Sequence, residues 1–151
     1  MSASQAGYSG TPLVRKVGVK AGHLVVLCAA PDGWVIPALP AGVTVSNLTE
    51  PPSVTGGPPD PPPDAGRADV VVAFCRTPPD LTSAVSGFAR TIHPAGALWI
   101  AWPRRAAGHH SDVTENLIRE VALPRGLVDI KVAALDTDWS GLKVVWRKEL
   151  R

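Results

Sequence analysis

The sequence predicts an α/β domain with a mainly parallel sheet of about six strands, helices on both faces and an antiparallel hairpin at its C-terminal end. Strand and helix patterns alternate through most of the chain, as they do in parallel sheets. Three runs are almost wholly apolar, which is typical of strands buried on both faces, at 23–29, 69–75 and 97–102. The length of 151 residues suits one domain, so we predict a single domain over 1–151.

The N-terminal part predicts a short helix followed by two strands. Thr11 can cap the helix, Pro12 can occupy its first position and Gly18 can end it. We predict that the apolar run 23–29 is the central strand. Valines alternate with small polar residues over 43–48, which predicts a strand near a sheet edge.

Residues 51–66 are rich in proline and predict an exposed, partly extended loop. Proline has no backbone N–H and a fixed φ angle, which excludes helix and sheet pairing. A ligand for a proline-recognition domain is the alternative interpretation, and we favour a solvated connector.

The next strand, 69–75, leads into a helix. Thr77 can cap this helix and Pro78 can open it, and residues at helical spacing give it an apolar stripe formed by Leu81, Val85, Phe88 and Ile92. Strand 97–102 follows the helix, and Pro103 is predicted to end its pairing.

The C-terminal part predicts a helix and then a hairpin. Ser111 or Asp112 is placed as the helix cap, with Glu115 three residues after Asp112 completing a capping box. Strands at 128–134 and 142–147, joined by a turn at 136–141, then form the antiparallel hairpin.

Charge and hydropathy exclude several classes of function. The net charge of +2 comes from fifteen basic and thirteen acidic residues, and no basic face interleaved with aromatics is present, so we do not expect nucleic-acid binding. The apolar runs are far shorter than a membrane-spanning helix, and the N-terminus lacks a charged segment leading into an apolar stretch. Cys28 and Cys75 each lie within an apolar run, as reduced core thiols do. We therefore expect a cytoplasmic protein without membrane association.

Ligands of open α/β sheets bind beyond the carboxyl ends of the strands, which directs attention to the loops that begin at Ala30, Cys75 and Trp102. Arg76 and the Arg104–Arg105 pair could converge there on a phosphate or carboxylate, and a solvated arginine loop is the alternative. The candidate ligand-binding residues in these loops are Asp32, Trp34, Arg76, Thr77, Arg104 and Arg105.

Other reactive residues favour structural roles. His109 and His110 are adjacent and have no nearby ligand at metal-site spacing, so we expect no metal. Arg76 could activate Cys75 as a nucleophile, but packing in the core is the favoured role of both thiols. Ser111 and Thr114 are typical of helix caps.

Trp34 and Trp139 are predicted on turns, whereas Trp99, Trp102 and Trp146 fall on strands. A large ring on a turn can anchor a partner protein or a second subunit, and we assign that role to Trp139. Packing of these rings against the sheet edge is the equal alternative.

Three segments resemble the class I methyltransferase fold, whose chains also end in a β-hairpin at the sheet edge. The turn 17–22 is similar to the one before the cofactor strand, 69–71 to the fourth strand and 93–96 to the turn entering the fifth. The resemblance implies a Rossmann-like sheet, here without a third strand, because residues 51–66 take its place.

The cofactor loop departs from that fold. A glycine-rich turn lets backbone amides approach the cofactor, but here Pro31 removes a donor and Trp34 occupies volume near the single Gly33. Glu50 stands near the position of a ribose-binding acid, yet prolines follow it at once, and a solvated charge is favoured. We expect no bound cofactor, with S-adenosylmethionine as the minor alternative.

Nearly the whole chain resembles a bacterial family, domain of unknown function 3052, in the segments 7–13, 97–103, 112–115, 119–124 and 139–143. That family implies no activity. Our leading hypothesis is a non-catalytic methyltransferase-like domain that binds a protein partner, a second copy of itself or a small anionic ligand. The alternative is a divergent S-adenosylmethionine-dependent methyltransferase or another nucleotide-cofactor enzyme.

Overall fold

The computed structural model describes residues 11–52 and 67–151, so most of the predicted loop at 51–66 lies outside the described residues. The helices and strands in chain order are α1 (Leu13–Val17), β1 (Leu24–Cys28), β2 (Thr44–Leu48), β3 (Val70–Phe74), α2 (Pro78–Phe88), β4 (Ala97–Pro103), α3 (Glu115–Ala122), β5 (Leu127–Ala134) and β6 (Trp139–Trp146). None of the helices in these residues is long and apolar enough to cross a membrane.

Six strands of the described chain form one sheet in the order β2-β1-β3-β4-β6-β5. The first four strands in this order are parallel, and β6 runs antiparallel to both β4 and β5. The predicted mixed sheet, mainly parallel with a C-terminal antiparallel hairpin, is therefore confirmed. The predicted edge strand at 43–48 is also confirmed, since β2 stands at one end of the sheet and, within the described residues, pairs with β1 alone.

The prediction that 23–29 is the central strand is wrong. β3 and β4 occupy the middle of the sheet, and every residue of β3 is buried. β1 lies one strand from the edge, where Leu24 is 45% exposed. An apolar run indicates that a strand is covered on both faces, but it does not indicate the strand's position in the sheet.

Alternate side chains of the central strands enter two separate cores. Val71, Ala73 and Leu98 pack with α2 and α3 on one face, whereas Val72 and Trp99 pack with Val17 of α1 on the other. The period of two residues along a strand produces this division. Helices therefore cover both faces of the sheet, as predicted.

The ends of the helices differ in part from prediction. α1 has Pro12 rather than Thr11 at its N-cap, with no side-chain cap, and ends at Gly18 in the left-handed conformation. The predicted cap of α2 is confirmed, because Thr77 and Asp80 form a reciprocal capping box. Although the apolar stripe predicted for this helix extends to Ile92, α2 ends at Phe88 and Ile92 is buried beyond it.

The cap predicted for α3 at Ser111 or Asp112 is wrong, whereas the capping role expected of Thr114 is confirmed. α3 begins at Glu115, and the Thr114 hydroxyl accepts a hydrogen bond from the Leu117 N–H. Ser111 instead accepts from the Val113 N–H at 3.1 Å in a local turn. Short hydroxyl side chains bond the backbone two residues ahead as readily as they cap a helix, so spacing alone cannot choose between them.

The hairpin is longer than predicted. β4 continues through Pro103, which stands opposite Trp139, so Trp139, Ser140 and Gly141 belong to β6 and not to the turn. A proline at the last position of a strand is tolerated because no further ladder hydrogen bond requires its N–H. As a result Trp139 is fixed by the sheet.

Candidate functional site

The order of the sheet reverses between β1 and β3, because the chain continues from β1 outward to β2 and from β3 in the opposite direction to β4. In open α/β sheets such a reversal creates a crevice at the carboxyl ends of the two strands, where ligands bind. The Arg76 guanidinium crosses this crevice, and its Nη1 donates to the carbonyl oxygen of Ala29 at 3.1 Å. The exposed side chain of Arg76 therefore links the loops that follow β1 and β3.

Three aromatic rings from distant parts of the chain pack side by side at this edge. The rings of Trp34 and Trp139 each meet Phe74 edge to face, with centroids 4.8 Å and 4.9 Å apart. The Arg76 guanidinium lies 5.1 Å from the centroid of the Trp139 ring, within the range of a cation–π contact. We call Trp34, Phe74, Trp139 and Arg76 the aromatic stack.

Asp136, in the turn between β5 and β6, fixes the outer member of this stack. The indole Nε1 of Trp34 donates to Asp136 Oδ2 at 2.7 Å. The other carboxylate oxygen accepts from the backbone N–H groups of Asp138 and Trp139, both at 2.8 Å. These bonds hold Trp34 in one orientation beside the crevice. Sequence reasoning missed Asp136, although acidic residues are common in turns.

Backbone donors at this edge are already used within the protein. The N–H of Ala29 donates to Leu48, and that of Cys75 donates to Ala101. The N–H groups of Arg76 and Thr77 both donate to the Asp80 carboxylate, at 3.0 Å and 3.1 Å. Asp80 therefore occupies the N-terminus of α2, where a phosphate would otherwise bind.

A second concave site, which we call the β4–α3 groove, lies between the end of β4 and the start of α3. It has a volume of about 520 Å³. Its lining includes Trp102, Arg104, Arg105, Ser111, Val113, Thr114, Glu115, Asn116, Arg119 and Ser140. Of the predicted ligand-binding residues, Arg104 and Arg105 line this groove, whereas Arg76 is held at the crevice. The structure therefore does not bring Arg76 together with the arginine pair, and Asp32, which is exposed, lines neither the groove nor the stack.

The three arginines of the groove differ in the partners of their guanidinium groups. Arg104 Nη1 lies 3.3 Å from the carbonyl oxygens of both Asp136 and Thr137. Arg119, which sequence reasoning missed, donates to Glu115, to Asn116 and, at 2.9 Å, to Asp129 of β5. Arg105 is exposed, and its guanidinium has no hydrogen-bond or ion-pair partner among the residues the structure describes. The spacing of Glu115 and Arg119, four residues apart, was the available signal for the Arg119 pair.

Residues 63–148, more than half of the chain, match a family described as a protein of unknown function, DUF3052. The chain belongs to this family. No curated protein matches the sequence. The matched DUF3052 region contains the groove and all of the aromatic stack except Trp34.

Both thiols of this DUF3052 protein are core groups, as predicted. Burial raises the pKa of Cys28 to about 11 and that of Cys75 to about 12. Arg76 opposes this shift at Cys75, but burial is the larger effect. Because the thiolate is the nucleophile, protonated buried thiols are inert at neutral pH.

The two histidines contact different carboxylates. His109 Nε2 lies 3.0 Å from Asp138 Oδ1, and His110 Nε2 lies 3.2 Å from Asp112 Oδ1. Within residues 11–52 and 67–151, no group of three or more potential ligands could hold a metal ion. His109 instead connects the loop after β4 to the turn of the hairpin.

Glu50 is exposed beside the end of β2, in keeping with a solvated charge.

Proposed function

We propose that this chain is a single, non-catalytic domain that binds a small anionic ligand in the β4–α3 groove. One observation carries the proposal: the exposed Arg105 guanidinium lines the groove without a hydrogen-bond or ion-pair partner among the described residues. The non-cofactor part of the proposal is supported at the crevice between β1 and β3, where Arg76 donates to Ala29 beside the ring of Trp34. A nucleotide cofactor bound there would have to displace this contact.

The lost contacts would not be replaced easily. Pyrophosphate and adenosine groups are held by free backbone N–H groups of a glycine-rich turn. Here the N–H groups of Ala29, Cys75, Arg76 and Thr77 donate within the protein. A dinucleotide-like ligand would therefore find no available backbone donor at these four positions.

The groove has the size and chemistry for a small anion. Its volume of about 520 Å³ lies within the usual range for small-molecule sites. The exposed guanidinium of Arg105 can bind a carboxylate or phosphate through two parallel hydrogen bonds. Glu115 also lines the groove, but its charge is paired with Arg119 at 3.2 Å.

Amide-resolved NMR titration tests this proposal, with sodium citrate and sodium phosphate as separate probes and sodium chloride as the ionic-strength control. We expect saturable shifts at Thr114, Glu115 and Asn116 with one of the two probes, and Arg105→Gln should weaken binding about tenfold or more, since charged hydrogen bonds contribute roughly 1.5–3 kcal/mol. Arg125→Gln, which changes an exposed arginine outside the groove, is the matched control. Equal responses of both variants, or no saturation, would refute the proposal.

A second candidate is a divergent S-adenosylmethionine-dependent methyltransferase. It is favoured by the reversal of strand order between β1 and β3 and by the antiparallel C-terminal hairpin, both of which suit a methyltransferase-like, Rossmann-like sheet. The two candidates differ in whether the crevice between β1 and β3 admits the cofactor.

The cellular location of the protein and a possible protein partner are also proposals. The free, buried thiols support a reducing, cytoplasmic location. Binding of a protein partner through Trp139 is the less favoured alternative, because its ring is half-buried against Phe74 and Arg76.

A further inference from the structure

Four lysines lie together on the side of the sheet that carries α1, and we call them the lysine cluster. Lys16 belongs to α1 and Lys20 follows it. Lys131 of β5 stands directly opposite Lys143 of β6. Because Lys143 is also opposite Trp99, which packs in the core beneath α1, these side chains face α1.

Lys131 and Lys143 repel each other across the β5–β6 pair. Among the residues described, the ammonium groups of Lys131 and Lys143 have neither a hydrogen-bond acceptor nor a carboxylate partner. Like charges directly opposite each other destabilise an antiparallel pair of strands. Burial first, and then the charges of Lys131 and Lys20, lower the pKa of Lys143.

The cluster forms a corner between α1 and the sheet. The Nζ of Lys143 lies 3.7 Å from the position that a Cβ on Gly18 would occupy, so this ammonium group sits close to the end of α1. Lys16 Nζ donates to the carbonyl oxygen of Ala134 at 2.9 Å, at the far end of β5. Lys20 and Lys131 are exposed and leave the corner open to solvent.

We propose that the lysine cluster binds a compact, multiply charged oxyanion of the phosphate class. Lys131 and Lys143 each retain three unused donors, and an ammonium group acts as a point charge that suits a phosphoryl group. The cations come from α1, β5 and β6 and repel one another at one corner, which favours a compact anion over an extended polyanion. This site shares no residue with the β4–α3 groove and does not depend on the function proposed for it.

The test uses sodium pyrophosphate, with sodium chloride at equal ionic strength as control, and Lys131→Glu. Pyrophosphate should raise the melting temperature of the unsubstituted chain, because binding to the folded state stabilises it. We expect Lys131→Glu to weaken the binding of pyrophosphate about tenfold or more. Without pyrophosphate the same variant should melt higher than the unsubstituted chain, since a carboxylate then stands opposite Lys143. The variant thus separates loss of binding from loss of folding.

Lys148→Glu makes the same charge change at an exposed position after β6 and should behave like the unsubstituted chain. Equal weakening by the two variants, or no response of the unsubstituted chain, would overturn the proposal. Amide NMR shifts locate the anion: changes at Lys131 and Lys143 support the lysine cluster. Changes confined to Thr114–Asn116 would refute it while leaving the groove proposal intact.

Discussion

Trp34 lies in the loop after β1 and is held by two contacts from distant parts of the chain. Its ring packs on Phe74 and its indole N–H is held by Asp136, which lies 102 residues away in the chain. The combination fixes a half-buried ring without enclosing it. A single residue therefore joins the loop after β1 to the hairpin turn.

We expect Trp34→Ala to lower the free energy of unfolding by about 1–3 kcal/mol, because both ring packing and a charge-assisted hydrogen bond are lost. This loss is smaller than that expected for alanine in place of a fully buried tryptophan. Trp34→Phe keeps a ring but loses the hydrogen bond and should cost about half as much. Urea unfolding at neutral pH measures both changes. A Trp34→Ala protein as stable as the unsubstituted chain would show that the ring is not anchored.

At the scale of single elements, α2 carries a glycine in its last turn for a packing reason. A Cβ on Gly87 would lie 2.5 Å from the carbonyl oxygen of Pro52, where the chain crosses α2 before the segment 53–66. Alanine is normally better than glycine inside a helix by about 1 kcal/mol. The contact with backbone reverses this preference here.

Gly87→Ala should accordingly destabilise the protein by roughly 1–3 kcal/mol, as other overpacked positions do. Ser83→Ala, at an exposed position of the same helix, should be neutral or slightly stabilising. Thermal unfolding monitored by circular dichroism compares the two. If Gly87→Ala raised the melting temperature, the close approach of Pro52 to α2 would be contradicted.

The contact between α3 and β5 should make stability depend on pH. A hydrogen bond from Arg119 lowers the pKa of Asp129 below its ordinary value of 3.8. A carboxyl group with a lowered pKa in the folded state stabilises that state above its unfolded pKa, and the contribution disappears as pH falls through the folded pKa.

The unsubstituted chain should therefore be more stable than Asp129→Asn at pH 7, with the difference constant down to about pH 5 and shrinking below pH 3.8. Urea unfolding of both proteins across this range measures the difference. A difference that stays the same down to the lowest pH at which both fold would exclude the ionised Asp129 as its source.

For the molecule as a whole, the sequence predicts its elements better than their arrangement. The apolar runs locate β1, β3 and β4 because burial on both faces demands them, and alternation locates β5. The position of β1 in the sheet was predicted wrongly, because the order of strands in a sheet depends on contacts between distant segments. The prediction of a helix cap at Ser111 was wrong for a local reason, because a helix cap and a local turn compete for the same hydroxyl.

The candidate site was predictable only in part. The general rule for strand ends directs attention to the loops that contain Trp34, Arg76 and Arg104. It cannot show that Arg76 turns toward Ala29 and away from Arg104, or that Asp136 fixes Trp34, because the hydrogen bonds of a side chain depend on packing across the sheet. The prediction from Pro31 and Trp34 that the loop after β1 no longer holds a cofactor stays a prediction.

Isothermal titration of the folded chain with S-adenosylmethionine, and with its demethylated product, tests the proposed loss of the cofactor site most directly. We expect no saturable heat with either compound at millimolar concentration, because a bound cofactor would have to displace the hydrogen bond from Arg76 to Ala29. Stoichiometric binding with a dissociation constant in the micromolar range, abolished when an added carboxylate in Ala29→Asp blocks the crevice, would contradict the account.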